Sequence, residues 1–122
     1  MRTIKRSTTF KKDFKRVKAN PKHAKGINDQ LNTVLRKLVQ DKPLPDANQD
    51  HDLIGNWKGF RECHLKPDLL LIYRKLDNEL QLARLGSHNQ LFRYETAFKL
   101  KTTLSTRNDY FFVKSVIWRV TN

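Results

Sequence analysis

A chain of 122 residues has the size of one domain, and no apolar run in it approaches the roughly 18 residues that a membrane span requires. Its 25 Lys and Arg residues outweigh 12 Asp and Glu, a net charge of +13, and a field of that size attracts polyanions, nucleic acid first among them, in a salt-dependent way. The single cysteine, Cys63, excludes an internal disulfide and a thiol-based zinc ribbon, and the charged opening Met1-Arg2-Thr3-Ile4-Lys5 does not read as a signal peptide, so a reducing, cytoplasmic setting is expected.

The first 25 residues hold ten basic side chains and one acid, Asp13, a net of +9. Residues 2–7 suit a short strand. Ser7, Thr8 and Thr9 offer N-caps, and Phe10, Phe14 and Val17 follow at helical spacing with cations on the opposite face. Asn20-Pro21 ends that helix. A second is predicted from about Pro21 or Lys22 to Gln40, with an apolar stripe of Ile27, Leu31, Val34, Leu35 and Leu38. Lys42-Pro43-Leu44-Pro45 breaks it, and residues 41–57 read as a loop. Then the period changes. Residues 58–65 suit a strand, Lys66-Pro67-Asp68 a turn, and Leu69-Leu70-Leu71-Ile72-Tyr73 a central strand covered on both faces. Residues 76–79 make a hairpin turn, and Leu80 to Leu85 form the last clear strand before Gly86. The order β-α-α-β-β-β predicts an α+β fold, an antiparallel sheet with an N-terminal helical hairpin packed on it. Residues 93–122 are set apart as a C-terminal extension of unknown role beyond a domain spanning 1–92. Within the extension, residues 110–120 are rich in β-branched and aromatic types, which suits an added strand, a partner-binding segment or a poorly packed tail.

His51, His64 and His88 lie in or beside the sheet region, with Asp68 in the turn after His64 and Arg84 four residues before His88. Histidine titrates near neutrality, so a pair can share acid and base work. A carboxylate can act as base or orient a histidine, and the arginine fork suits phosphate oxygens. This set meets the needs of RNA cleavage through the 2′-OH without a metal, and Phe92 or Trp57 could stack on an unpaired base. A zinc site is the weaker reading, because no local His pair has ligand spacing. Cys63 faces away from His64 by strand alternation, which disfavours a Cys/His nucleophile. His23 reads as solvated on its basic helix, Trp57 and Tyr73 as packing, Asp50 and Asp52 as loop residues, and Lys58 and Arg61 as dressing of an exposed strand face.

The stretch from Asp50 to Tyr73 carries D-H-x-L-x-G-x-W-K-G-[FY]-R-x-x-H-x-x-P-D-x-x-L-I-Y, and Arg84 to Phe92 carries R-x-G-x-H-x-x-L-F. Over roughly residues 3–92 the chain resembles the YafQ branch of the RelE/ParE toxin superfamily, most specifically in these two motifs. The resemblance implies a RelE-like fold and a ribosome-dependent messenger RNA interferase of a type II toxin–antitoxin pair, which cuts codons in the ribosomal A site with a preference for lysine codons. His51, His64, Asp68 and His88 match the catalytic histidines and aspartate of that branch, Arg84 a basic residue near the scissile phosphate, and Phe92 an aromatic by the substrate. No metal or other cofactor is implied. The expected partners are messenger RNA on the ribosome, with Lys11, Lys12, Lys15, Arg16 and Lys18 against ribosomal RNA, and a cognate antitoxin; no membrane partner is expected. Two rivals share the reading of the charge: a ParE-like inhibitor of DNA gyrase, which needs no histidine cluster, and an RNA-binding module without chemistry.

Overall fold

The computed structural model describes residues 2–91 and the backbone of residues 118–120. Strand β1 (Thr3–Ser7) passes directly into helix α1 (Thr8–Ala19), which is followed by the single turn α2 (Pro21–Ala24) and by α3 (Ile27–Val39). Strands β2 (His51–Asp52), β3 (Arg61–Lys66), β4 (Leu69–Lys75), β5 (Glu79–Gly86) and β6 (Trp118–Val120) complete one sheet in the order β2-β3-β4-β5-β1-β6. The helices lie on one face of it. No helix among the described residues is long and apolar enough to cross a membrane.

Ser7 makes the switch from strand to helix without a loop. Its buried Oγ accepts from the Phe10 amide at 2.8 Å as the N-cap and donates to the Ala83 carbonyl oxygen at 2.8 Å, which pins the start of α1 onto β5. The expected second helix is divided. Asn20 caps α2 through Oδ1 at 3.0 Å from the Lys22 amide, and Gly26, with φ of +72°, then turns the chain before α3. The periodicity of the stripe starts only at Ile27, so it carried no information about the turn ahead of it. A residue with a Cβ is strained at that φ: Gly26→Ala should cost about 1–2 kcal/mol, readable as a shift of the urea midpoint.

The main core lies between sheet and helices, where Phe10, Val17, Ile27, Leu31, Val34 and Leu38 meet Cys63, Leu69, Leu71, Tyr73, Leu82 and Leu85. Full burial of each apolar side chain of this size contributes roughly 1.5–3 kcal/mol. The opposite face of β4 carries a smaller cluster of Trp57, Phe60, Leu70, Ile72, Ala83 and Leu91. The continuous apolar run of β4 thus reflects cover on both faces.

The sheet is antiparallel from β2 to β5, but β1 runs parallel to β5, with Ile4 opposite Leu80 and Arg6 opposite Leu82. The helices carry the chain to the far edge of the sheet, and three reversals leave β5 running in the direction of β1. The expected antiparallel sheet is therefore mixed at this one pairing. Of the extension, residues 118–120 pair antiparallel with the other side of β1, Arg119 opposite Arg6, which is the added-strand reading for those three residues. The rest of the extension lies outside the described residues.

Candidate active site

Strand alternation decides which side chains share a face. On β3, Arg61, Cys63 and Leu65 turn toward the helices, and Glu62 and His64 turn the other way. His51 stands opposite Glu62 in the β2–β3 register, so His51, Glu62 and His64 fall together on the face away from the helices.

Glu62 is the centre of the group. Its carboxylate is 7% exposed, with Oε1 at 3.1 Å from His51 Nε2 and 3.9 Å from His64 Nε2. The first is a close ion-pair distance and the second an electrostatic contact beyond hydrogen-bond range. Each ring turns its other nitrogen toward a backbone oxygen. His51 Nδ1 lies 3.1 Å from Asp52 O, and His64 Nδ1 lies 3.4 Å from Pro67 O. A ring with an oxygen facing both nitrogens can carry its proton at either one, as a proton-transferring group must. Asn48 holds the strand in place by donating to the His64 carbonyl oxygen at 2.6 Å.

The turn that bears His88 reaches the same face by a different route. Residues 88–91 are helical. Ser87 Oγ accepts from the Gln90 amide at 3.2 Å, and Gln90 Oε1 accepts from the Ser87 amide at 3.0 Å, a reciprocal capping box. This turn folds tightly back on β5. A Cβ on Gly86 would stand 2.9 Å from Gln90 Oε1 and 3.2 Å from the Leu91 side chain, so a larger residue would displace the Gln90 side chain from its cap. Leu91 then packs with Trp57, Phe60, Leu70 and Ile72 on the face that carries His51 and His64. His64, Leu70 and Gly86 lie in one row across β3, β4 and β5. With strands about 4.8 Å apart, the turn that bears the exposed His88 begins roughly 10 Å from His64 Cα.

Asp68, half exposed in the β3–β4 turn, is not brought into contact with the histidine pair; its Oδ2 lies 3.1 Å from Lys22 Nζ and 3.8 Å from His23 Nε2. Arg84 is likewise committed elsewhere. Its Nε lies 2.7 Å from Asp13 Oδ2 and its Nη2 3.3 Å from Asp13 Oδ1. The cause is topological. The β1–β5 pairing ends at Leu82, so the Leu85 amide has no strand on its β1 side, and the buried Asp13 of α1 accepts that amide at 3.0 Å in its place. Arg16 adds a third donor to Asp13 at 2.7 Å.

The other cations of α1 are set on two flanks by helical spacing. Lys12 and Arg16 share the flank of Asp13, and Lys11, Lys15 and Lys18 the opposite one, where the Lys18 ammonium sits 5.6 Å over the Phe14 ring. Phe92 lies outside the described residues.

Several sequence expectations change. His23, read as solvated, is buried at 5% exposure, because Pro21 and the Asn20 cap turn residue 23 of the short α2 inward. Trp57 keeps its reading as packing: it is 1% exposed and edge-on to Phe60, with ring centroids 5.2 Å apart, which leaves no role as a base stacker. Asp50 and Arg61 are more than loop and surface residues. Asp50 accepts from the Tyr73 hydroxyl and from Arg61, and Arg61 also holds Asp52. Burial works against the Arg61 charge, but its hydrogen bonds with Asp50 and Tyr73 outweigh that and leave it more firmly protonated than usual. Burial, then the Asp50 hydrogen bond, pushes the Tyr73 phenol up. Burial also pushes the Cys63 thiol far up, which leaves no reactive thiolate. Glu62 was missed outright, although alternation alone places it beside His64. Among the described residues, no three His, Cys, Asp or Glu groups come together as a metal site.

The residues that form this face lie within the part of the chain that matches known proteins. The chain is 39% identical over 92 residues to the mRNA interferase toxin YafQ of Escherichia coli K12, which covers 75% of this chain and 96% of the relative. The crystal structure of a metal-bound toxin from Helicobacter pylori superposes with a TM-score of 0.68 at 45% identity, covering 75% of this chain and all of that one. YafQ in the E. coli DinJ–YafQ complex gives a TM-score of 0.65 at 38% identity, with 75% and 99% covered. The model of the family described as the bacterial toxin of type II toxin–antitoxin system, YafQ, matches residues 2–93. With the RelE-like sheet and helices in place, this match establishes that the chain belongs to the YafQ family of type II toxin–antitoxin toxins.

Proposed function

We propose that this chain is a messenger RNA interferase, an endoribonuclease that cuts messenger RNA in the ribosomal A site by acid–base catalysis through the 2′-OH, with no metal required. The observation that carries the reading is the Glu62 carboxylate set between His51 and His64, on the face against which the His88 turn packs. A 2′-oxygen attacks its own phosphate, the bond to the 5′-oxygen breaks, and the products are a 2′,3′-cyclic phosphate (or the 3′-phosphate from it) and a 5′-OH. His51, His64 and Asp68 take up and relay the proton of the 2′-OH, with Glu62 orienting the two rings. His88 protonates the departing oxygen. Arg84, held by Asp13 through Nε and Nη2, supplies positive charge to the phosphorane, and Phe92 stacks on a base of the bound codon. The lysines and Arg16 of α1 steer the protein onto ribosomal RNA. A cognate antitoxin with acidic segments opposes the same positive field.

The test is cleavage of a defined messenger RNA in a purified translation system, with 5′-end mapping and a ribosome-free control. Cuts in codon register that need ribosomes and are lost in His88→Ala are expected. A folded full-length protein that makes no cuts overturns the reading. In buffer that keeps magnesium for the ribosome, a chelator selective for zinc and copper should leave the rate unchanged; a fall to background would remove the metal-independent mechanism.

A further inference from the structure

His23 is a buried titratable side chain for which the proposed mechanism has no use. Its Nε2 is buried without a hydrogen-bond partner among the described residues, and Asp68 Oδ2 lies 3.8 Å from it. A buried polar nitrogen left unmatched costs free energy, so its direction needs a reason. The surroundings supply one. The β3–β4 turn is tied to α2 at three points: Lys66 Nζ donates to the Lys25 carbonyl oxygen at 2.6 Å, Lys22 Nζ lies 3.1 Å from Asp68, and His23 Nε2 faces the same oxygen. The two groups on Asp68 differ in kind. The Lys22 side chain is 69% exposed and only loosely held, whereas the His23 side chain is 6% exposed and fixed by packing. An exposed ion pair adds little order; a packed ring adds much.

We propose that His23 is a positioning residue for Asp68. Its Nε2 is fixed beside Oδ2 and keeps the carboxylate in place when RNA phosphates draw Lys22 away. A gap of 3.8 Å closes to a hydrogen bond with a shift of less than 1 Å, within the tightening that catalytic contacts undergo when substrate binds. The inference rests on the role given to Asp68 under the proposed function.

Two readouts test it. In the first, single-turnover cleavage on programmed ribosomes is compared for wild type, His23→Leu and His23→Gln. Glutamine places an amide N–H where Nε2 stands; leucine does not. His23→Leu should lose about tenfold to a hundredfold in the cleavage step with ribosome affinity unchanged, and His23→Gln should recover most of it. A folded His23→Leu protein that cleaves at the wild-type rate, or a glutamine variant as slow as the leucine one, overturns the proposal. In the second, the ring ¹⁵N and ¹H signals of His23 are recorded in the full chain. They should move in Asp68→Asn and stay in place in Asp46→Asn, an exposed control. Unmoved signals in Asp68→Asn overturn the proposal even where the wild type cleaves. A wild type that does not cleave counts against the functional reading alone, and the ring signals then decide for or against the His23–Asp68 pair.

Discussion

Glu62→Gln is expected to lower the single-turnover cleavage rate by about a hundredfold or more while leaving the fold intact. The substitution keeps the shape of a side chain that is 7% exposed and removes its charge. In the wild type both rings turn Nε2 to one carboxylate oxygen, at 3.1 Å from His51 and 3.9 Å from His64, and its charge attracts both. The amide has one acceptor and one donor end. Whichever way it turns, it cannot serve both rings, and at least one histidine loses its orientation or its preferred tautomer. Stability should move little, because removal of a buried charge lowers the desolvation cost at the same time as it removes an attraction. Rates by quenched-flow cleavage and melting by circular dichroism separate the two effects. A variant that melts like the wild type and cleaves like it would show that the Glu62 bridge is not part of the chemistry.

Asp13→Ala is expected to have the largest effect on stability. Three donors converge on this carboxylate: the Leu85 amide, Arg84 and Arg16. Truncation leaves an amide buried without an acceptor and strips Arg84, whose side chain is 16% exposed, of its counter-charge. Breaking a buried pair on one side costs about 3–5 kcal/mol, which for a domain of this size lowers Tm by roughly 4–8 °C per kcal/mol. Urea unfolding gives the number directly, and a loss below about 1 kcal/mol would mean that the pair behaves like an exposed one. Asp13→Asn is the informative companion. It can still accept the Leu85 amide, so much of the stability should return, but it no longer neutralises Arg84. If Arg84 stabilises the phosphorane, cleavage by Asp13→Asn well below its melting temperature should remain depressed after the fold has been restored.

The two predictions concern residues that the sequence marks unequally. His51, His64 and Asp68 stand in a long ordered motif, and His88 and Arg84 in a second one, so their candidacy could be read from residue type and order. Glu62 sits inside the first motif as an ordinary charged residue of a strand. Its meaning depends on burial, and on a two-residue strand, β2, that is too short to leave a period in the sequence. Asp13 is the lone acid among ten cations in the first 25 residues and looks like a surface residue. It is buried because β1 stops short of the end of β5, a matter of relative strand length that no local pattern reports.

What the sequence determined by itself is what depends on neighbours along the chain. The helical stripes, the doubly covered strand β4, the turn at Pro67-Asp68 and the alternation that sets Cys63 apart from His64 all arise from periods of two or 3.6 residues and from backbone restrictions at Pro and Gly. Only the tertiary structure decided the parallel pairing of β1 with β5, the burial of His23 beneath Asp68, the diversion of Arg84 to Asp13 and the gathering of His51, Glu62 and His64 on one face. These depend on contacts between residues far apart in the chain, where burial and charge pairing are set by the packing of whole elements and leave no trace in local spacing.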